Sequence, residues 1–428
     1  TTNGGAVPGG RSIVVQGTVN DDASNTHLTL RAGTTGVVSL IGDVGGTTPI
    51  EGLTVASANV ARLPNVWTRE GGISVATTGG AKLQGNLDTT QGPTGAGNVT
   101  MTGPGELVND VQITTNRATG ADGNVLFVGT GSTINTDPNS TPRALTIVAG
   151  GGDITLGGVV GGVKPLETLT ASGQSIALNG GVVNGPVVLD AGSSGSISLG
   201  GSLTAGSLAA TAGGGIADNA GTSLAITGNA SFSGGDVVIG ENSMDTTHFG
   251  SLTFNSTGTV NITEDSATVL AGNNTAGSLT LTSAGAITDA TGTGLTVTNN
   301  ASFTGTSITL ADNTTDVLSV GGNASFNAAG GGITLGAAGA VNFGSLTFNS
   351  TDAVNIAEDS AMVLIGTNTA GNLTLTSNGG SITQAAGTVT ANALVLTADT
   401  GITLAPLEGT RRQGKNSAPG AVAPSHTR

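Results

Sequence analysis

The chain has 428 residues, 27 acidic against 12 basic side chains for a net charge of −15, 74 Gly and no Cys. The missing cysteines exclude a disulfide framework and thiolate metal sites, and the acidic balance argues against nucleic acid and anionic membranes as partners. Leu, Ile and Val stay plentiful, which excludes a disordered Gly/Ser linker, and no apolar run approaches the roughly 18 residues of a transmembrane helix.

Residues 1–11 are read as an N-terminal extension. The chain opens Thr-Thr-Asn-Gly-Gly, with no initiator Met, basic n-region or apolar h-region, and is read as the mature piece of a secreted precursor. Over residues 12–186 short apolar phrases recur unevenly, with candidate turn starts at Ile13, Leu28, Leu53, Ile73, Val99, Val125, Leu145 and Leu169. Two stretches, 57–72 and 102–123, interrupt them and contain Pro64, Trp67, Arg69, Glu70, Pro104 and Arg117. Lateral loops are expected there. Trp67, in a chain without Tyr, is either a core plug or an exposed contact residue.

Residues 187–405 repeat regularly. An apolar-x-apolar phrase begins at Val187, Leu208, Ala230, Leu252, Leu279, Ala301, Ala324, Leu346, Leu373 and Leu394. A second phrase follows each, at Ile197, Ile216, Val237, Val260, Ile287, Ile308, Ile333, Val354, Ile382 and Ile402. The period is about 22 residues, with two longer intervals of 27. Such a period, built from short strands with Gly, Thr, Ser and Asn turns, predicts an all-β right-handed parallel β-helix of roughly 18 rungs. At about 4.8 Å per strand spacing its length would be about 85 Å.

Alternate residues on a strand face opposite ways, so the first and third residues of each phrase line the core. Aligned third positions predict one column: Leu189, Ala210, Phe232, Phe254, Leu281, Phe303, Phe326, Phe348, Leu375 and Leu396. Five of the eight Phe fall in it, and packing accounts for them: Phe232, Phe254, Phe303, Phe326 and Phe348 form the expected core stack. Asn229, Asn300 and Asn323 precede Ala-Ser-Phe, and Asn255 and Asn349 follow Phe; turn duty or amide ladders are expected of them.

A longer repeat overlies the short one. Phe249-Gly-Ser-Leu-Thr-Phe-Asn-Ser-Thr257 returns as Phe343-Gly-Ser-Leu-Thr-Phe-Asn-Ser-Thr351, 94 residues on. Val260-Asn-Ile262 returns as Val354-Asn-Ile356, and Glu264-Asp-Ser266 as Glu358-Asp-Ser360.

No Lys or Arg lies between Lys164 and Arg411, a span that carries 16 acids. Residues 406–428 form a basic tail. Its Arg411, Arg412, Lys415 and Arg428 are the candidate assembly contact, set to dock on the acidic wall of a neighbouring copy; the alternative is a solvated linker.

Catalytic signals are sparse. Glycoside hydrolysis needs two carboxyl groups about 5–9.5 Å apart. The pairs Glu264-Asp265 and Glu358-Asp359 lie four rungs from each other, roughly 19 Å, and are expected to be solvated turn acids. His27, His248 and His426 are too far apart for a triad, and His248 is read as a turn residue. Calcium is the one ion that an Asp- and Asn-rich rod suits, and no residue is assigned to it. Runs such as Gly213-Gly-Gly215 lack a following Lys-Ser/Thr and read as turns.

The Leu-Thr-Leu, Gly-Ser-Leu and Ile-Thr-Leu phrases, with Ile41-Gly-Asp-Val-Gly-Gly-Thr-Thr-Pro-Ile-Glu-Gly-Leu-Thr-Val55 and its echo Leu156-Gly-Gly-Val-Val-Gly-Gly-Val-Lys-Pro-Leu-Glu-Thr-Leu-Thr170, resemble the filamentous-haemagglutinin-like β-helical exoproteins of Gram-negative bacteria. The resemblance covers most of residues 12–405. It implies an extracellular or cell-surface location and an adhesive or structural role, and it carries no catalytic residues. The expectation is therefore a non-enzymatic solenoid whose partners are further copies of itself or a host or cell-surface receptor. The alternative is a polysaccharide-acting β-helix enzyme, a lyase or glycoside hydrolase.

Overall fold

A computed structural model describes residues 10–22, 25–405 and 411–412. Among these the chain is all-β with no helix, and its parallel strands stack as a β-solenoid of about 18 turns, about 22 residues apart. Three-residue strands such as Ile176–Leu178 and Ile197–Leu199 bury their outer two residues and leave the middle one half-exposed, the alternation that a pleated strand imposes. The contacts define two units: Thr1–Gly235 with Asn242–Thr246, and Asp236–Glu241 with Thr247–Arg428.

The first unit is three-sided, each turn laying one strand on each of three columns. One column passes from Leu28 through Leu53, Ile73, Val99, Val125, Ile154, Ile176 and Ile197 to Ile216. A second includes Val38, Ala61, Ala81, Gly105 and Ile134. The third includes Leu87, Ile113, Ile147, Ala171, Leu189, Ala210 and Phe232.

Two expectations change here. The predicted turn starts mix columns, because Val125 stacks between Val99 and Ile154 whereas Leu145 stacks on Val111. All three faces bury the same apolar-x-apolar phrase, so the phrase carries no mark of its face. Residues 57–72 are not a lateral loop; they run through the strands Ile50–Leu63 and Val66–Leu83. Register shifts along that pairing hide the period. Within 102–123, strands Gly105–Leu107 and Val111–Thr114 keep the stack, and residues 115–124 hold only an isolated bridge at Ala121.

In the second unit the single Phe column is also corrected. Leu281 does not follow Phe254; it pairs with Ile262. Leu375 does not follow Phe348; it pairs with Ile356. Both breaks fall in the 27-residue turns. Each of these turns contains an additional three-residue strand, Thr268–Leu270 or Met362–Leu364. The long strand Thr246–Ser256 is met by two short ones, Leu252 by Leu270 and Asn255 by Thr275. Ninety-four residues on, Ala340–Ser350 is split in the same way, Leu346 by Leu364 and Asn349 by Thr369. One column becomes two at each split. All five stack Phe are fully buried, and Phe303, Phe326 and Phe348 are in register. The Phe303 and Phe326 rings are stacked at 4.9 Å.

While one column divides, another stops. The last strand of the stopping column still has backbone N–H groups to satisfy, and the acid pairs satisfy them. Glu264 Oε1 accepts from the Phe249 N–H at 2.9 Å and Asp265 Oδ2 from the Thr247 N–H at 2.9 Å. Glu358 accepts from Phe343 and Asp359 from Val341, both at 3.0 Å. Glu264 and Glu358 are 1% and 0% exposed, so they are buried backbone caps and not solvated turn acids. The 94-residue repeat thus encodes a face change.

Candidate functional site

Where the split strand passes from one partner strand to the other, one N–H on it has no strand opposite. The side chain of Asn274 fills the first gap, accepting from the Phe254 N–H at 2.9 Å, and Asn368 fills the second, accepting from Phe348 at 3.0 Å. Both Asn are fully buried. Glu, Asp and, after ten residues, Asn recur at both places and form one polar device inside an apolar core.

The outer rows differ in kind. Ser278, Thr280 and Thr282 project beside Ser302 and Thr304, then Ser325 and Asn327, then Thr347 and Asn349, in unbroken register. Amides link neighbouring rows: Asn349 Nδ2 donates to Asn327 Oδ1 at 2.9 Å, and the Asn323 N–H donates to Asn300 Oδ1 at 2.9 Å. These are ladders. Among described non-glycine residues the left-handed conformation occurs at Asn25 and Ala311.

Acids gather at one corner of the second unit. Asp289, Asp312 and Asp316 each offer a carboxylate oxygen within 4.8 Å of the others, the one such group of three among the described residues. Asp316 is buried; its Oδ1 accepts from the Gly292 N–H at 2.6 Å and the Thr293 N–H at 3.2 Å, and its Oδ2 from Asn313 at 2.9 Å. Asp289 Oδ2 accepts from Ala311, which is held at φ 56°. Asp289 Oδ1 is buried without a partner. Burial pushes the Asp289 carboxyl up to about 6, the Ala311 N–H opposes this, and the charges of Asp316 and Asp312 add to it. The hard oxygens suit a cation such as calcium. Three of the six, however, already hold the corner's backbone together.

The sequence carried an unused signal for this corner. Ile216-Ala-Asp218 with Gly221-Thr222 returns as Ile287-Thr-Asp289 with Gly292-Thr293, and Glu241-Asn242 with Asp245 returns as Asp312-Asn313 with Asp316. Asp245 repeats the lock in the first unit, accepting from Gly221 at 2.7 Å and Asn242 at 3.0 Å.

The two resembling phrases are also a corner. Asn20 Oδ1 accepts from the Thr47 N–H at 2.9 Å and Asn135 Oδ1 from the Val163 N–H at 2.8 Å. Gly45 and Gly161 turn there with φ of 76° and 69°. Lys164 Nζ donates to the Asp137 and Pro138 carbonyls at 3.1 and 2.8 Å.

The remaining expected residues are dispersed. Trp67 lies in the strand Val66–Leu83, half-buried between buried Val66 and Thr68. It faces outward, with its ring against Gly46, and is not a core plug. His248 is in a strand rather than a turn, and His27 Nε2 lies 2.8 Å from Thr54 Oγ1. Arg411 and Arg412 form a two-residue strand paired with Ala393 and Leu394, whereas Lys415 and Arg428 lie outside the described residues.

No family model, curated protein or solved structure matches the chain.

Proposed function

We propose that the protein is a non-enzymatic β-solenoid of the cell surface or extracellular space, with a structural and adhesive role. The observation that supports this best is the division of labour among its polar groups. The regular outer rows of the second unit are uncharged hydroxyls and amides, from Ser278 through Thr280 to Asn349. Its buried carboxylates are engaged in backbone hydrogen bonds at corners and face changes. Such a body offers a long neutral surface for contact with a receptor or another copy. The basic residues Arg411, Arg412, Lys415 and Arg428 supply the charge with which a neighbour's acidic wall would join it into a filament.

Negative-stain electron microscopy of the full chain in low and high salt tests this reading. Long fibres that shorten in high salt, and that disappear when residues 410–428 are deleted, support assembly through the tail. Fibres that ignore both salt and deletion would remove the tail from the joint. Isolated rods would leave adhesion to a receptor as the role to pursue.

A second reading, a polysaccharide-acting enzyme, draws on Asp289, Asp312 and Asp316, which bring acids of adjacent turns together. Release of reducing or unsaturated ends from polysaccharides by the wild type, lost in Asp312→Asn, would favour it over the structural role.

A further inference from the structure

The two face changes share a plan, and two of the positions at which they differ bear on the buried glutamates. Thr268 and His248 of the first are replaced in the second, 94 residues on, by Met362 and Asn342. The replacements alter what the buried glutamates receive. Glu264 has donors on both oxygens: the Phe249 N–H and Ser266 Oγ on Oε1, and Thr268 Oγ1 on Oε2 at 2.8 Å. That pattern suits a carboxylate, which accepts at both oxygens. Glu358 has donors on one oxygen only, the Phe343 N–H at 3.0 Å and Ser360 Oγ at 2.8 Å, both on Oε1. Its Oε2 is buried with no partner. A protonated carboxyl fits that pattern better, because its carbonyl oxygen accepts both donors and the oxygen left without a partner is then a neutral hydroxyl rather than part of a charge.

We propose that Glu358 is a proton-operated latch on the end of the column formed by residues 340–343, closed when the carboxyl is neutral and loosened when it is charged, and that Glu264, with donors on both oxygens, is its less pH-sensitive counterpart. An unpaired buried charge is far costlier than an unpaired buried neutral oxygen. Ionisation of Glu358 therefore favours withdrawal of the side chain toward solvent, which frees the Phe343 N–H. The strands around it, Ala340–Ser350, Val354–Glu358, Met362–Leu364 and Thr367–Ser377, contain no other titratable side chain. Burial opposes ionisation most, the Ser360 and Phe343 donors favour it, and the negative charge of Asp359, the charged neighbour among the described residues, opposes it further. At the first face change burial likewise pushes the Glu264 carboxyl up, and the donors Phe249, Thr268 and Ser266, with the charge of His248, oppose it.

Hydrogen exchange on the full chain, read by mass spectrometry on peptides covering 246–256 and 340–350 and corrected for intrinsic rates, tests the latch. Between pH 5 and pH 8 the protection of 340–350 should fall, by roughly tenfold for each pK unit that folding raises Glu358, while 246–256 changes less. Glu358→Gln should keep 340–350 protected at both pH values. Met362→Thr, which restores the missing donor, should bring the pH dependence of 340–350 down to that of 246–256. Equal protection of 340–350 at both pH values, or a fall that persists unchanged in Met362→Thr, would overturn the proposal.

Discussion

Phe254 and Asn274 meet where two short strands leave a gap opposite a long one: the Phe254 N–H donates to Asn274 Oδ1 at 2.9 Å. The same amide side chain donates to the carbonyls of Ala271 and Gly272, both at 3.3 Å. Asn274 therefore closes the gap from both sides and lets one column become two without orphaned backbone groups. Asn274→Leu keeps the branched shape and removes the hydrogen bonds, and should cost roughly 1–3 kcal/mol. Solenoid stability is a nearest-neighbour property, so the loss should appear as local exchange in 246–256 and 268–276 before it appears in the global unfolding midpoint. Unchanged exchange in those segments would show that Asn274 only fills space.

Glu264 closes the neighbouring column and takes three donors, from Phe249, Ser266 and Thr268. Glu264→Ala leaves these groups unsatisfied at a site that is 1% exposed, and should cost about 3 kcal/mol in urea unfolding. Glu264→Gln retains the shape and one acceptor oxygen and should cost less. Equal losses in the two variants would mean that shape, not hydrogen bonding, holds the column end.

Phe326 stacks on Phe303 at 4.9 Å and packs obliquely on Phe343 at 5.6 Å. Phe326→Ala should cost roughly 3–5 kcal/mol, because the flanking turns are fixed by parallel strands and cannot collapse into the cavity. Phe326→Leu, which resembles Leu281 and Leu375 of other turns, should recover most of this in thermal melts.

How much of this was legible in the sequence depends on which residues carry the signal. The Ile-Thr-Leu and Leu-Thr-Leu phrases give the parallel solenoid and its period, because burial on a strand alternates residue by residue. They do not say which face a phrase occupies, so Phe254 and Leu281 look like neighbours and are not. The 94-residue repeat was visible, and its acids read as solvated because Glu-Asp-Ser resembles a turn. Their partners are backbone N–H groups that become unpaired only when a column stops, and composition and spacing do not reveal that. The Asp289 corner was hidden for a different reason. Its three acids are spread over 28 residues of chain and converge only when two turns stack.

The same corner has a pH consequence. Asp289 is pushed up to about 6, first by burial and then by Asp316 and Asp312, above the ordinary 3.8 of an unfolded Asp. A raised carboxyl favours the folded state below the unfolded value, and that advantage is lost as pH rises through about 6. The second unit should therefore lose stability between pH 4 and pH 7, as followed by exchange of 287–320. Asp289→Asn removes the charge and should raise the neutral-pH melting temperature and flatten that dependence. A lower melting temperature in Asp289→Asn would point instead to a cation bridging the three carboxylates.

Acid should act in the opposite direction in the first unit. Lys82 Nζ lies 2.5 Å from Glu106 Oε2 and 2.6 Å from Asp137 Oδ2, joining three successive turns of one face. The hydrogen bond from Lys82, with that from the Asn139 N–H, holds the Asp137 carboxyl below its usual range. A lowered carboxyl contributes stability above the unfolded value, which disappears as pH falls through the folded one. Lys82→Met should remove this contribution at neutral pH, with a loss on the order of 1 kcal/mol because the ammonium is partly exposed and screened. It should also leave less for acid or salt to take away. Melting the wild type and Lys82→Met at pH 7 and pH 3, in low and high salt, measures it: the gap between the two proteins should narrow in acid and in salt. A gap of constant width would assign the effect of Lys82 to the packing of its methylene stem.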